Sequence, residues 1–273
     1  MNSVSLSSNG IVFVGDVHRQ WQYVMRGLAR LARPPQAMVL LGDMECDAPL
    51  DDLVASVRAD GTEIYWIAGN HDYDGGSEML DNLVDPARNP VTVGNGLHGR
   101  VVEIAGLRVA GLSGTFRPRI WLPPSEPKLH GRAGLADNLA TLGPGWREEQ
   151  LAALHRSLAE LAIWPEDFAH LSGQRADILV THEAPSSHPM GFAVIDALAR
   201  AMGARLILHG HHHVTYRARA TDGLLVQGVA AGWGVAEDGS IAWEGEAPRW
   251  MCNATIMEAA HRQLNWPIWT VIE

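Results

Sequence analysis

An α/β fold built on parallel strands is what this sequence predicts, from the pattern of its first third and from its length. Short, mostly apolar runs recur at residues 11–14, 37–41 and 63–68, with helix-like stretches between them. Strand, helix, strand, helix, strand is how parallel neighbours are joined, because a crossover must carry the chain back to its starting edge. The 273 residues, 47% hydrophobic and 19% charged, are enough to bury one core and suit one large domain better than two small ones.

Taken in order, Ile11-Val12-Phe13-Val14 reads as a buried strand. From Trp21 to Leu31, apolar residues at Trp21, Val24, Met25, Leu28 and Leu31 predict a helix that Pro34-Pro35 stops. Residues 37–41 form a second strand, Leu50–Val57 a short helix and Glu63–Ala68 a third strand. Gly99–Leu112 predicts a hairpin turning near Ala105-Gly106. Residues 115–145 are rich in Pro and Gly and poor in periodicity, which predicts an irregular, lid-like insertion. A helix follows at Trp146–Leu161, with Glu148 and Glu149 where its dipole favours them. Strands return at Ile178–Thr181 and Arg205–Leu208 around a helix at Phe192–Ala201. Hairpins, a short helix at Ala254–Leu264 and a last strand-like piece complete the chain. With no internal repeat and no linker, residues 1–273 read as a single domain, with a core over about 11–245 and a C-terminal extension over about 246–273.

Composition excludes several classes. Thirty-one acidic against 21 basic residues leave a charge of −10, which repels nucleic acid and anionic lipid alike, so no general nucleic-acid binding is expected. Cys46 and Cys252 cannot make a disulfide framework, which suits a reducing compartment. The first apolar run is too short for a signal peptide or membrane span, and a cytoplasmic protein is expected. Thirteen histidines are present, four of them at 209 and 211–213.

Those histidines belong to a pattern. Five short blocks each follow an apolar run: Gly15-Asp16-Val17-His18, Gly42-Asp43, Gly69-Asn70-His71-Asp72, Thr181-His182 and Gly210-His211-His212-His213. In α/β sheets, functional groups collect where strands end. Any one block has an ordinary explanation, such as a helix cap or a satisfied core histidine. Together they gather carboxylate, imidazole and carboxamide into a mixed N/O set suited to Mn, Fe or Zn rather than to Ca.

These blocks resemble the signature of the calcineurin-like metallophosphoesterases, GDxH, GD, GNHD/E, a lone His and GHxH, over about residues 11–245. The resemblance implies an αββα sandwich of two mixed sheets flanked by helices. It implies two divalent ions, manganese ranked first and Fe, Zn, Ni or Mg as alternatives. Asp16, His18 and His213 would hold one ion, Asn70, His182 and His211 the other, and Asp43 would bridge them. His71 would serve the leaving oxygen, oriented by Asp72, while a metal-bridging hydroxide attacks phosphorus.

The chain departs from the family pattern in places that bear on substrate. Gly42-Asp43-Met44-Glu45-Cys46-Asp47 lacks the Arg-Gly of the protein phosphatase GDxxDRG, and Arg19 stands where many relatives have Gly. A small phosphomonoester or phosphodiester, nucleotides included, therefore ranks above a phosphoprotein or a dinucleoside polyphosphate. A non-catalytic protein-binding module is the alternative of another class. Arg19, Arg117, Arg119 and His212 are candidates for substrate contact, and His188 for the entrance. Glu45 is a candidate acceptor behind a metal ligand, with a surface carboxylate as the plainer reading. Tryptophans 233, 243, 250, 266 and 269 read first as core, with a homodimer surface as the second option.

Overall fold

The computed structural model describes residues 10–245 and 269–272. A five-stranded sheet is built from β1 (Ile11–Val14), β2 (Ala37–Leu40), β3 (Glu63–Trp66), β10 (Gly234–Ala236) and β11 (Ile241–Trp243), in the order β11-β10-β1-β2-β3. Its first three strands are parallel, as the alternation predicts, and β10 returns antiparallel to β1. A seven-stranded sheet holds β4 (Val101–Ile104), β5 (Leu107–Leu112), β6 (Ile178–Thr181), β7 (Leu206–His209), β8 (Tyr216–Ala220), β9 (Leu225–Gly228) and β12 (Trp269–Val271). Its order is β12-β8-β9-β7-β6-β5-β4, with β5, β6, β7 and β9 parallel.

Both faces of the central strands are covered, which is why β1, β2, β6 and β7 are buried along their whole length. Phe13, Val39, Tyr65 and Ile67 meet Val109, Val180, Leu208 and Val229 between the sheets. The outer face of the first sheet packs Val12, Met38, Leu40 and Trp66 against helices α1 (Trp21–Leu28), α2 (Leu50–Leu53), α3 (Ala55–Ala59) and α4 (Ser77–Val84). Across the outer face of the second, Ala110, Leu179 and Ile207 join Leu171, Ile195, Leu198 and Met202. The last four lie on α7 (Pro165–Ser172) and α8 (Ala193–Met202). The two mixed sheets flanked by helices are the expected αββα sandwich.

Differences from the sequence reading are local. The single helix expected over residues 50–57 breaks at Val54, whose φ of −105° and ψ of 10° end α2 before α3 begins. Helices α4 and α7 were not expected, since each has eight residues, barely two turns of pattern. Residues 115–145 are less irregular than their composition suggests. They carry a 3-10 turn at Arg132–Gly134 and helix α5 (Leu135–Ala140). Ile120, Leu135 and Leu139 are buried against Leu158, Ala162 and Trp164 at and beyond the end of helix α6 (Glu148–Leu161). The segment has its own small core and packs as a buttress against the end of α6.

Arg132 clasps that buttress: its guanidinium donates to Asp167 at 2.7 Å and to Glu166 at 2.8 Å and lies over the Trp164 ring. His98 meets the same Asp167 carboxylate at 3.1 Å. Trp243 and Trp269 are buried, while the expected helix at 254–264, Trp250 and Trp266 lie outside the described residues. Among the described residues no helix is long and apolar enough to cross a membrane.

Candidate active site

Each of the five sequence blocks leaves the C-terminal end of a parallel strand, and the two sheets bring these ends together. Asp16 and His18 follow β1, Asp43 follows β2, Asn70 and His71 follow β3, His182 follows β6, and His211 and His213 follow β7. Asp16, His18 and His213 offer donor atoms within 4.8 Å of one another, and so do Asp43, His182 and His211. His213 Nε2 stands 2.9 Å from Asp16 Oδ2 and 3.0 Å from His18 Nε2. Asn70 Oδ1 faces His182 Nε2 at 3.1 Å, and Asp43 Oδ2 lies 3.2 Å from the same nitrogen.

Two of these imidazoles have their proton assigned by what lies behind them. Nδ1 of His182 is 2.8 Å from the Leu41 carbonyl, which can only accept, so Nδ1 carries the hydrogen. Nδ1 of His18 is 2.6 Å from Glu45 Oε1, with the same consequence. In neutral form each therefore turns an Nε2 lone pair inward, the arrangement a metal ligand needs.

The inner face of the site gathers the Asp16, Asp43 and Asn70 oxygens among these imidazoles. Asp43 Oδ2 is buried and, despite the nearby His182, makes no hydrogen bond. Asp16 is fully buried, and burial alone would raise its pKa. The bond from His213 and the charge of His182 outweigh burial and hold the carboxyl well below the usual range. Burial likewise works against a charged His182, but the Asp43 and Asp16 carboxylates push it up to about 10. Two buried carboxylates that raise the proton affinity of neighbouring imidazoles make a place that favours positive charge. The donor set fits divalent ions.

Backbone strain is concentrated at the same place. Seven described non-glycine residues have positive φ; six of them are His18, Arg19, Asp43, Glu45, His211 and His213. Each such conformation costs on the order of 1–3 kcal/mol and persists only where the surroundings enforce it. The enforcement is visible in the loops after β1 and β2, where His18 N donates to Asp43 O and Arg19 N to Met44 O. Close approach explains two of the glycines. A Cβ at Gly69 would stand 2.1 Å from Asp43 Oδ1, and one at Gly210 would stand 2.2 Å from Asp16 Oδ1.

Asp72 does not touch His71 as expected. Its Oδ2 accepts from the Gly69 and Asp43 amides at 2.8 and 3.1 Å, and its Oδ1 accepts from the Glu45 amide at 2.8 Å. The Asp72 carboxylate points into the loops and pins them, and burial together with the Asp43 charge raises its pKa to about 6. Asp74 takes the place beside His71, at 2.6 Å from Nδ1. The spacing His-x-x-Asp was the available signal, obscured by the adjacent Asp72.

Around this centre the remaining candidates sort themselves. His71 and Arg19 have side chains 44% and 49% exposed, so both face solvent at the mouth. Arg119 donates to Asn138 within the buttress, and neither Arg117 nor Arg119 bonds to the cluster among the described residues. His212 is 8% exposed and stacks on the buried His188 with ring centroids 3.9 Å apart, so neither lines an open entrance. Glu183, unnoticed in the sequence, lies within 4.8 Å of both His211 and His212. His209 donates from Nδ1 to the Gly210 carbonyl, and its Nε2 therefore accepts from the Tyr216 hydroxyl at 2.8 Å. Tyr216 in turn meets Ser187 Oγ at 2.8 Å, a buried chain that braces the last histidine block.

A family model described as calcineurin-like phosphoesterase matches residues 10–215. A Haemophilus influenzae protein, named only as uncharacterized, is 36% identical over 213 residues, which cover 77% of this chain and 86% of that one. A dimetal phosphatase from Danio rerio aligns in structure with a TM-score of 0.49 at 15% identity, covering 81% of this chain and 87% of its own. The Thermus thermophilus protein TT1561 gives a TM-score of 0.48 at 12% identity, covering 85% and 96% respectively.

Proposed function

Because the chain belongs to the calcineurin-like phosphoesterase family, we propose that it hydrolyses small phosphate esters with two divalent ions held by its own side chains. The observation that carries this reading is the convergence of two inward-facing donor groups, with an orphaned buried carboxylate oxygen on Asp43. Asp16, His18 and His213 would hold one ion, and Asn70, His182 and His211 the other. Asp43, at the junction, would serve both. Manganese is the first metal to try, ahead of Fe, Zn, Ni or Mg. Two such ions, when bound, supply Lewis acidity toward phosphoryl oxygens and make water acidic enough to attack near neutral pH.

The chain's own groups do the rest. His71 is fixed from both ends, its amide donating to Asp43 Oδ1 at 2.7 Å and its ring held by Asp74. Burial lowers its proton affinity, but the Asp74 bond and the charges of Asp43 and Asp74 more than reverse this. His71 thereby has a raised proton affinity, beside the His18 ring at 5.6 Å, which suits it to serve a leaving oxygen. The charge of −10 favours a small ester over a long polyanion.

The test is turnover of p-nitrophenyl phosphate and bis-p-nitrophenyl phosphate by metal-stripped protein with Mn²⁺ restored. His71→Ala should keep its metal and lose about 10²- to 10⁴-fold in kcat; Asp43→Asn should lose metal and activity together. Tightly bound ions with no turnover under any divalent metal would replace this reading with a non-catalytic binding module.

A further inference from the structure

Glu45 occupies a position no sequence block explains. Its amide is held by Asp72, its Oε1 takes the His18 Nδ1 hydrogen at 2.6 Å, and its Oε2 takes Arg19 Nε at 3.1 Å. One carboxylate thus grips a ligand imidazole and a cation simultaneously. Its side chain is 18% exposed, whereas that of Arg19 is 49% exposed. Arg19 is bound through Nε, and no other residue takes a hydrogen bond or ion pair from its side chain among the described residues. Its backbone is fixed as well, in a positive-φ conformation with the amide bonded to Met44 O. A half-exposed guanidinium held through Nε keeps terminal N–H groups that can donate to an anion.

We propose that Glu45 holds Arg19 as the reader of a third phosphoryl oxygen, which makes the enzyme selective for phosphomonoesters over diesters. The proposal rests on the phosphoesterase reading above and names its substrate class. The argument is one of counting. A diester presents two non-bridging oxygens and one negative charge, which a pair of cations can take up between them. A monoester presents a third such oxygen and a second charge, and these need a further donor beside the ions. His71 is reserved for the leaving oxygen, and Arg117 and Arg119 belong to the buttress. Arg19 is the cation that adjoins His18, through Glu45, at the mouth.

Glu45 carries a second consequence. By accepting from Nδ1 it directs the His18 lone pair inward, so metal affinity and phosphate recognition depend on the same carboxylate. Gln at position 45 could accept from His18 or from Arg19, but its amide nitrogen cannot accept, so one of the two contacts fails.

The experiment compares wild type with Arg19→Ala, Arg19→Lys and Glu45→Gln, all loaded with Mn²⁺. Calorimetry would follow binding of phenylphosphonate, a dianion with three free oxygens, and of methyl phenylphosphonate, a monoanion with two. Manganese affinity is read by competition with a chelating dye. The ratio of kcat/KM for p-nitrophenyl phosphate to that for the bis ester is read alongside.

Arg19→Ala should weaken phenylphosphonate relative to its methyl ester by roughly 10- to 100-fold, the worth of a charge-assisted pair. The kinetic ratio should fall in parallel while manganese affinity holds, and Arg19→Lys should recover part of the loss. Glu45→Gln should either weaken manganese binding roughly tenfold or lower the ratio, according to whether the His18 or the Arg19 contact is the one lost. Equal losses for the two phosphonates in Arg19→Ala would overturn the monoester reader whatever the activity. Glu45→Gln with unchanged manganese affinity and unchanged ratio would overturn the shared carboxylate. A wild type that hydrolyses neither ester, yet shows the phosphonate difference, would uphold the anion reader while removing the phosphoesterase reading.

Discussion

At the scale of single residues, the side chains behind the proposed ligands are placed as specifically as those candidates themselves. Asp72 uses both oxygens on three backbone amides, and no neutral isostere can do that. Asp72→Asn turns an amide nitrogen toward an N–H donor in a buried place, a loss of about 1–3 kcal/mol. At about 2–4 °C per kcal/mol the melting temperature should drop visibly, and an unchanged thermal scan would contradict this. Asp74 acts on proton affinity instead. Its bond and charge raise the His71 pKa, so Asp74→Asn should lower it. An acid is lost as pH rises through its pKa, so the alkaline limb of the kcat profile should move to lower pH. A limb that stays in place would show that Asp74 does not set the proton on His71. The clustering of these donor residues was legible because Gly-Asp, Gly-Asn-His and Gly-His blocks announce themselves at strand ends. Asp74 and Glu45 were harder to assign, because an acidic residue near a loop has many ordinary uses and only coordinates reveal which nitrogen it meets.

At the scale of elements, β1, β2 and β3 could be read directly, because strands buried on both faces leave apolar runs, and the β4–β5 hairpin was marked by Ala105-Gly106 at its turn. Residues 115–145 could not, because Pro and Gly conceal a segment whose stability comes from distant partners on α6 and α7. The Arg132 clasp is such a partnership. Burial raises the Asp167 pKa, but hydrogen bonds from His98 and Arg132 outweigh it and bring the carboxyl down to about 2 from its ordinary 3.8. The folded pKa lies below the unfolded one, so the stabilisation is present above about pH 3.8 and is lost as pH falls toward 2. Asp167→Asn should therefore cost about 1–3 kcal/mol at pH 7 and progressively less below pH 4. Denaturant melts at several pH values check the trend, and a cost that does not change with pH would deny the charge its role. Arg132→Ala should in addition make the 115–145 segment the first site of limited proteolysis.

At the scale of the whole molecule, the proposed ligands are divided between the sheets, with Asp16, His18, Asp43 and Asn70 leaving the first and His182, His211 and His213 the second. Ions bound between them should brace the sandwich as a unit. With free metal at about a hundredfold its Kd, linkage gives about 2.7 kcal/mol, so chelation should lower the melting temperature by roughly 5–10 °C. An identical melt with and without chelator would mean that no ion spans the sheets. The same division acts in time. His18 and His213, which face each other across the site, are 195 positions apart in the chain. At ordinary rates of synthesis, roughly 10–40 s separate the emergence of the first from that of the second. Through that interval Asp16, His18 and Asp43 exist as a half-built chelator, open to whichever cation is most abundant or most avid. Selectivity for a metal that needs both halves would therefore be decided only once His182, His211 and His213 have joined the first three residues.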